Sequence, residues 1–398
     1  MDIRTIVTLP GDGIGRTVLE EAIRVLNAAG FEANYVEGGI GWEFWCSEGN
    51  PLPQRTIDLL AKHKIGLFGA ITSKPKDEAF NELKPELQAK GFIYSSPIVG
   101  LRQHFGLDIC QRPCRTYKGN PLNFIRRGKG DSVEEPEIDV VIFRQNTEGL
   151  YAGVEWSNPP VQVYEALMTH PKFVKNFGKT PVEEISISTR IFTKKATERI
   201  LRASFEYAKK YGYKSVTLCE KPNVIRETSG MMYKMAQQIR KTDFPEIELW
   251  NTNIDAQMMW LTKNPENYGV IVAGNMFGDI VSDGFAGLIG GLGFACSAQY
   301  NPETGVGVFE PTHGSAPKYA DYPVSIVNPI AMIESACMML DFIEEQGMAK
   351  QIRKAVADVV QEGKVRTYDM AKMTGRADVI ERGAASTIQM TDAIIAKL

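Results

Sequence analysis

Ile3-Arg4-Thr5-Ile6-Val7-Thr8-Leu9-Pro10-Gly11-Asp12-Gly13-Ile14-Gly15 is the stretch from which the fold can be read. Residues 3–9 are mostly apolar or β-branched and read as a buried strand. Pro10 and the alternating glycines then turn the chain. Val18, Ala22 and Leu26 recur at helical spacing up to Gly30, a natural residue just past a helix end. The glycines invite a nucleotide-binding reading. However, their spacing is not G-x-G-x-x-G, and no acidic residue closes a second strand ~20 residues on. The residues alone leave a tight strand-to-helix turn and a ligand loop in balance.

The same alternation continues outward. Residues 57–63 predict a helix and 65–68 a strand, and 139–144 predict another strand. An amphipathic helix over 194–211 is closed by Gly212, and strands follow at 215–219 and 269–273. Three helices end the chain, at 329–345, 350–362 and 385–397. Short apolar strands alternating with helices predict an α/β fold with parallel strands inside. Residues 120–136 read as a surface loop. Residues 155–180, with three prolines, read as an irregular excursion or a subunit contact.

At 398 residues the chain has room for two or three domains. A hydrophobic share of 43%, a charged share of 23% and a net charge of −3 argue against disorder and give no pull toward nucleic acid or anionic lipid. Any anion must be met by a local basic cluster. Six cysteines lack a C-x-x-C pair, and with four histidines they predict reduced, mostly buried thiols rather than a zinc site. The start carries no basic leader pattern. The most apolar run, 284–296, holds five glycines and falls short of the ~20 residues of a membrane helix. A cytoplasmic protein without nucleic-acid or membrane partners is expected.

Asn275-Met276-Phe277-Gly278-Asp279-Ile280-Val281-Ser282-Asp283-Gly284 carries more chemistry. Asp279 and Asp283 stand i, i+4, so a helix projects both carboxylates from one face. Like charges that close need a cation or a group of bases between them, and oxygen-only ligands favour Mg²⁺ or Mn²⁺. A solvated acidic helix face is the bland alternative, opposed by the apolar strand before the block and the glycine-rich run after it. Arg102, Arg112, Arg115 and Arg144 form a basic constellation, with Arg144 at a strand end, where planar forks suit a di- or tricarboxylate. Separate surface ion pairs are the alternative. Lys221 and Tyr151, near these groups, are expected to have lowered pKa values and to serve in proton transfer. Phe309-Glu310-Pro311-Thr312-His313-Gly314-Ser315-Ala316-Pro317-Lys318-Tyr319 reads as a small-residue loop ahead of a helix opened by Asn328-Pro329, suited to a phosphate.

These blocks, in this order, resemble the β-decarboxylating dehydrogenases, the isocitrate/isopropylmalate dehydrogenase family with its homoisocitrate and tartrate members. The resemblance runs from Leu9 to Asp369, with residues 275–294 matching the family's most specific motif. It implies two α/β domains around a cleft, with mixed sheets: a cofactor-binding domain of residues 1–107 and 291–398, and a smaller one of 108–290 with dimer contacts and an arm near 155–182. It implies Tyr151 and Lys221 as catalytic residues. Ser96, Arg102, Arg112, Arg144 and Asn223 would bind substrate, and Asp255, Asp279 and Asp283 would bind the metal. The cofactor would lie against Thr72, His313, Gly314, Ser315, Ala316, Lys318, Tyr319, Asn328, Tyr368 and Lys372. Lys221 and Asp255 would enter the site from the partner of a homodimer.

Lys318-Tyr319, with Tyr368 and Lys372, is similar to the pattern that meets the 2′-phosphate of NADP, with NAD as the alternative. Ser96 stands where isocitrate enzymes carry a serine, but Ile98 replaces an amide, which is closer to homoisocitrate enzymes. Isocitrate is the favoured 2-hydroxy-3-carboxy acid, ahead of homoisocitrate, isopropylmalate and tartrate. A non-catalytic regulatory subunit on the same scaffold is the rival from another class, and it should have lost the lysine, tyrosine or aspartates present here.

Overall fold

The computed structural model describes residues 3–398. Met1 and Asp2, where the first expected domain begins, lie outside the described residues. Ten strands form one sheet: β1 (Arg4–Gly11), β2 (Ala33–Glu37), β3 (Ile65–Ala70), β4 (Ile109–Arg115), β5 (Asp139–Gln145), β6 (Ser215–Glu220), β7 (Glu248–Asn253), β8 (Val270–Ala273), β9 (Cys296–Asn301) and β10 (Val306–Pro311). Their spatial order is β7-β6-β8-β5-β4-β9-β10-β3-β1-β2.

Both ends of the sheet are parallel, as strand–helix alternation requires. The centre is not. β4 runs antiparallel to β5 and to β9, and β9 to β10. The fold is therefore α/β with a mixed sheet. β9 and β10 join in a hairpin and need no crossover helix, which is why helix–strand alternation does not announce them.

The helices that place the site are α1 (Gly15–Ala28), α2 (Pro97–Phe105), α3 (Lys194–Tyr211), α4 (Thr228–Asp243), α5 (Ile254–Leu261), α6 (Asn275–Leu288) and α7 (Ile330–Phe342). Every residue of α7 from Ile330 to Leu340 is buried, and its one buried carboxylate, Glu334, is met by Tyr117 and Arg353. It packs under β10 and against α1. The other wing has its own core, where Phe205 and Leu201 of α3 meet Val141 and Phe143 of β5 and Val216 and Leu218 of β6. β5 is thus buried on both faces, since Val140 and Ile142 point into the core around α7.

Two loop expectations need correction. Within 120–136, Arg126–Arg127 and Val133–Glu134 pair as a small hairpin. The arm is not irregular: Val161–Met168 and Pro171–Phe177 are helices, and Glu155–Ser157 pairs with Ser186–Ser188. Its prolines act as helix starters rather than breakers, Pro160 at the N-cap and Pro171 in the first turn. Neither arm helix buries a residue, so no apolar periodicity marks them. Among the described residues no helix is long and apolar enough to cross a membrane, and all six cysteines are unpaired, five of them buried.

Candidate active site

Strand periodicity sorts the basic constellation. Residues 112 and 115 are an odd number apart on β4, so their side chains leave opposite faces. Arg112 points toward α6, whereas Arg115 turns away and donates to Asp139 at 2.7 Å. The four arginines therefore reduce to three.

Arg112 is buried and bridges the two aspartates of α6. Its Nη1 donates to Asp279 Oδ1 and Asp283 Oδ1 at 3.2 Å each, and to Ser282 Oγ at 2.7 Å. The helical i, i+4 spacing does place both carboxylates on one face, and an arginine lies between them. Arg144, 2% exposed at the end of β5, donates from Nε to Asn275 Oδ1 at 2.9 Å and from Nη1 to Asp279. Burial first, and the charge of Arg112 second, bring the Arg144 guanidinium down to about 10, so it stays a cation at neutral pH. Arg102, from α2, donates to Gln299 Oε1 at 2.6 Å and to Glu310 Oε1 at 3.4 Å. Glu310 is itself buried, and burial raises its pKa against the pull of Arg102, Arg112 and Arg144.

Tyr151 lies over this group. Its hydroxyl donates to Asp279 Oδ2 at 3.3 Å, and the Arg144 guanidinium stands 5.7 Å from its ring centre. The expected lowered pKa is overturned: burial, then the facing Asp279 carboxylate, hold the phenol above its usual range. Asp283 is likewise raised, by burial against the pull of Arg112, with Asp279 adding to the rise. Two carboxylates forced together, one of them with its side chain 61% exposed, make a hard-oxygen face that a divalent cation would relieve. That donor set fits Mg²⁺ or Mn²⁺ in type but is incomplete. No group of three His, Cys, Asp or Glu side chains able to hold a metal occurs among the described residues. Asp255 does not join Asp279 and Asp283. It sits in the first turn of α5 and pairs with Lys221. Asn223, two residues on, is exposed.

A second group assembles around residues 313–319. Ser315 Oγ lies 2.6 Å from Thr72 Oγ1, and the Ser315 carbonyl accepts the Ile14 N–H at 2.9 Å. This resolves the glycine turn. A Cβ on Gly13, where φ is +55°, would stand 2.2 Å from that carbonyl, so the glycine permits a close backbone approach to the loop. Asp12 caps the arrangement by accepting from Thr72 N–H at 2.8 Å and Trp42 N–H at 2.7 Å. Ala316 takes a left-handed φ of 38°. His313 Nε2 is buried without a partner, and Gly314 has open space where a Cβ would project. An orphaned polar atom beside an open glycine fits a dinucleotide's polar groups.

Tyr319 and Tyr368 pack at 5.6 Å, with the exposed Lys318 over the Tyr319 ring at 5.4 Å and Lys372 at a left-handed turn four residues past Tyr368. Asn328 donates to Asp369 at 3.1 Å. Sequence reasoning missed Asn275, Ser282, Gln299 and Glu310, which orient the arginines. Asn275 and Ser282 had a cue as members of the aspartate block, and Glu310 as a member of the expected 309–319 loop, whose first three residues instead end strand β10. A cavity of about 1340 Å³ lies on the opposite face of β4, lined by Gln111, Pro113, Arg115, Tyr207 and Tyr300, and holds none of these groups.

A parallel-winged α/β sheet with paired acidic and basic groups gathered at its centre is a candidate enzyme site. A family model described as isocitrate/isopropylmalate dehydrogenase matches residues 5–394. Homoisocitrate dehydrogenase of Methanocaldococcus jannaschii is 37% identical, with 88% of each chain covered. The Legionella pneumophila protein DlpA is 36% identical over 98% of this chain, which spans 58% of that protein's length. The crystal structure of isocitrate dehydrogenase from Methylococcus capsulatus superposes with a TM-score of 0.79 at 32% identity, covering 99% of each chain. The chain belongs to the isocitrate/isopropylmalate dehydrogenase family and is an NAD(P)-dependent β-decarboxylating dehydrogenase.

Proposed function

We propose that the chain carries out the metal-dependent oxidative decarboxylation of isocitrate to 2-oxoglutarate with reduction of NADP, as a homodimer with shared sites in the cytoplasm. The observation that carries this reading is the convergence of Arg112 and Arg144 on the α6 face that bears Asp279 and Asp283, with the Tyr151 hydroxyl on Asp279 and with Arg102 joining both arginines in the charge field of Glu310.

Three guanidinium forks match the carboxylates of a tricarboxylate, and the buried, unpartnered Arg112 Nε is a donor waiting for one. Asp279 and Asp283, with Asp255 of a second chain, would hold Mg²⁺ or Mn²⁺. When bound, the ion lowers the pKa of a coordinated hydroxyl and withdraws charge from the reacting carbon. Lys221, also from the second chain, would take the hydroxyl proton, and a nicotinamide held against the 313–319 loop would supply the hydride acceptor for C2. The 3-carboxylate departs as CO₂. Tyr151 then protonates the carbon, and its raised pKa keeps the phenol a donor at neutral pH.

Lys318, Tyr319, Tyr368 and Lys372 support NADP over NAD, because a lysine attracts the 2′-phosphate that an acidic residue would repel. Residues 1–107 and 291–398 would form the cofactor domain and 108–290 the substrate domain. Homoisocitrate is the second reading, favoured by Ile98 in place of an amide and by the Methanocaldococcus relative. Ser96 makes no capping bond to α2, which leaves its hydroxyl for a distal carboxylate in either case.

The test is a panel of isocitrate, homoisocitrate, isopropylmalate and tartrate, with Mn²⁺ and NADP, followed at the nicotinamide absorbance. The highest kcat/KM should fall to isocitrate. A higher value for homoisocitrate would move the assignment, and no turnover with any of them would favour a regulatory subunit.

A further inference from the structure

Glu220 closes β6, one residue ahead of Lys221, and is fully buried. A carboxylate so far from water persists only when charge and donors meet its oxygens. Here three groups do. Arg190 Nη2 donates to Oε1 at 3.0 Å and to Oε2 at 2.8 Å, Ser229 Oγ to Oε2 at 2.6 Å, and the Gly274 N–H to Oε1 at 2.8 Å.

Each of these donors belongs to a different part of the site. Gly274 is the N-cap of α6, the helix of Asp279 and Asp283, so the carboxylate sits at the positive end of that helix. A Cβ on Gly274 would stand 2.5 Å from Glu220 Oε1 and 2.7 Å from Phe192, so the contact depends on glycine. Ser229 and Thr228 open α4 and accept from Arg190 Nη1 at 2.9 and 2.8 Å. Arg190 lies where the chain returns from the arm, wedged against Phe192 and Phe277 at 4.5 and 5.1 Å. Its neighbour Ile191 accepts the Gly149 N–H at 2.9 Å, two residues ahead of Tyr151.

We propose that Arg190 and Glu220 are a positioning pair, one buried ion pair that fixes the strand end of Lys221, the N-terminus of the aspartate helix and the loop of Tyr151 relative to one another. Neither side chain bonds to Arg102, Arg112, Arg144, Tyr151, Asp279 or Asp283. The proposal rests on the dehydrogenase reading. Buried ion pairs often contribute little net stability, so a structural role alone gives no reason for the kinetics of folded protein to change. A positioning role does: kcat falls, while a substrate KM set by the three arginines holds.

Glu220→Gln in the full-length protein keeps an acceptor for Gly274 and removes the charge. With the substrate the wild type prefers, kcat should drop at least about tenfold with KM within about threefold, while a cooperative thermal transition is retained. Mn²⁺ titration, which needs no turnover, should show affinity weakened about tenfold. Wild-type kcat and Mn²⁺ affinity in the folded variant would overturn the proposal. If Glu220→Gln fails to fold, Arg190→Lys, which keeps the charge but loses the fork, decides: a smaller fall in kcat at unchanged KM supports the pair, and wild-type kcat overturns it. A wild type that turns over none of the hydroxy acids sinks the dehydrogenase reading instead, and the Mn²⁺ comparison still decides the role of the pair.

Discussion

Lys318 presents its ammonium over the Tyr319 ring, beside Tyr368, on an exposed turn. A cation there discriminates between cofactors that differ by one phosphate, because charge is the only large difference between them. Lys318→Asp should raise the KM for NADP about tenfold or more and improve use of NAD; an unchanged KM for NADP defeats the assignment. Asp108, at the junction of α2 and β4, poses a different electrostatic problem. Burial pushes its carboxyl up to about 6, although Arg199 donates to it at 2.5 Å. The folded chain thus holds this proton more tightly than the unfolded chain does, so the Asp108 contribution to stability falls as pH rises from about 4 to about 6. Asp108→Asn removes that contribution. Melting temperatures measured across this window should decline less in the variant, and parallel curves would dispose of the idea. The arginines illustrate what a residue-level reading of sequence can see. Arg112 and Arg144 were legible because arginines beside or within apolar strands are conspicuous. Arg115 was misplaced because proximity in sequence says nothing about the face until the strand is known.

Elements were legible where periodicity ran long. The helix over 194–211 appears with those bounds, since eighteen residues show their apolar stripe several times. The six-residue strands β9 and β10 offered no such repetition, and their antiparallel pairing follows from a hairpin that alternation cannot reveal. The aspartate helix was legible through its spacing. The partners of Arg102 on β9 and β10, Gln299 and Glu310, were not, because they lie about 200 residues along the chain from it and meet it only in three dimensions. The first turn left two readings in balance, and packing shows the tight one. It is a tight turn whose glycines let it press on the Ser315 backbone, and the resemblance moves the cofactor from the turn itself to the 313–319 loop. Gly13→Ala therefore tests an element-level coupling. The Cβ would collide with the Ser315 backbone carbonyl, which no rotamer change relieves, at a φ that disfavours alanine. Stability should fall by about 1–3 kcal/mol, read by urea unfolding, and the KM for NADP should rise. A variant with wild-type values for both would separate the turn from the loop.

At the scale of the molecule, one chain does not bring the three proposed metal aspartates together. Lys221 pairs with Asp255, and neither meets Asp279 or Asp283. The surfaces beside these residues are apolar and uncovered: Val224, Met259, Trp260 and Ile280 flank the four of them, and Val161, Val174 and Phe177 project from the arm. Such faces suit a partner surface, and in the proposed homodimer a two-fold axis would carry the Lys221–Asp255 edge of one chain to the Asp279–Asp283 face of the other. Sharing of this kind makes a quantitative demand. A Lys221→Met homodimer and an Asp283→Asn homodimer should each be inactive. In a mixed dimer, one site combines Lys221 from the second variant with Asp283 from the first, and that site is intact. The other site carries both lesions. Unfolding and refolding an equal mixture makes half the dimers mixed, so about a quarter of all sites should return to activity. If the refolded mixture is dimeric by light scattering yet stays as inactive as its parents, the lysine and the aspartate of each site come from the same chain. The Lys221–Asp255 pair would then have to open within that chain before the reaction could proceed.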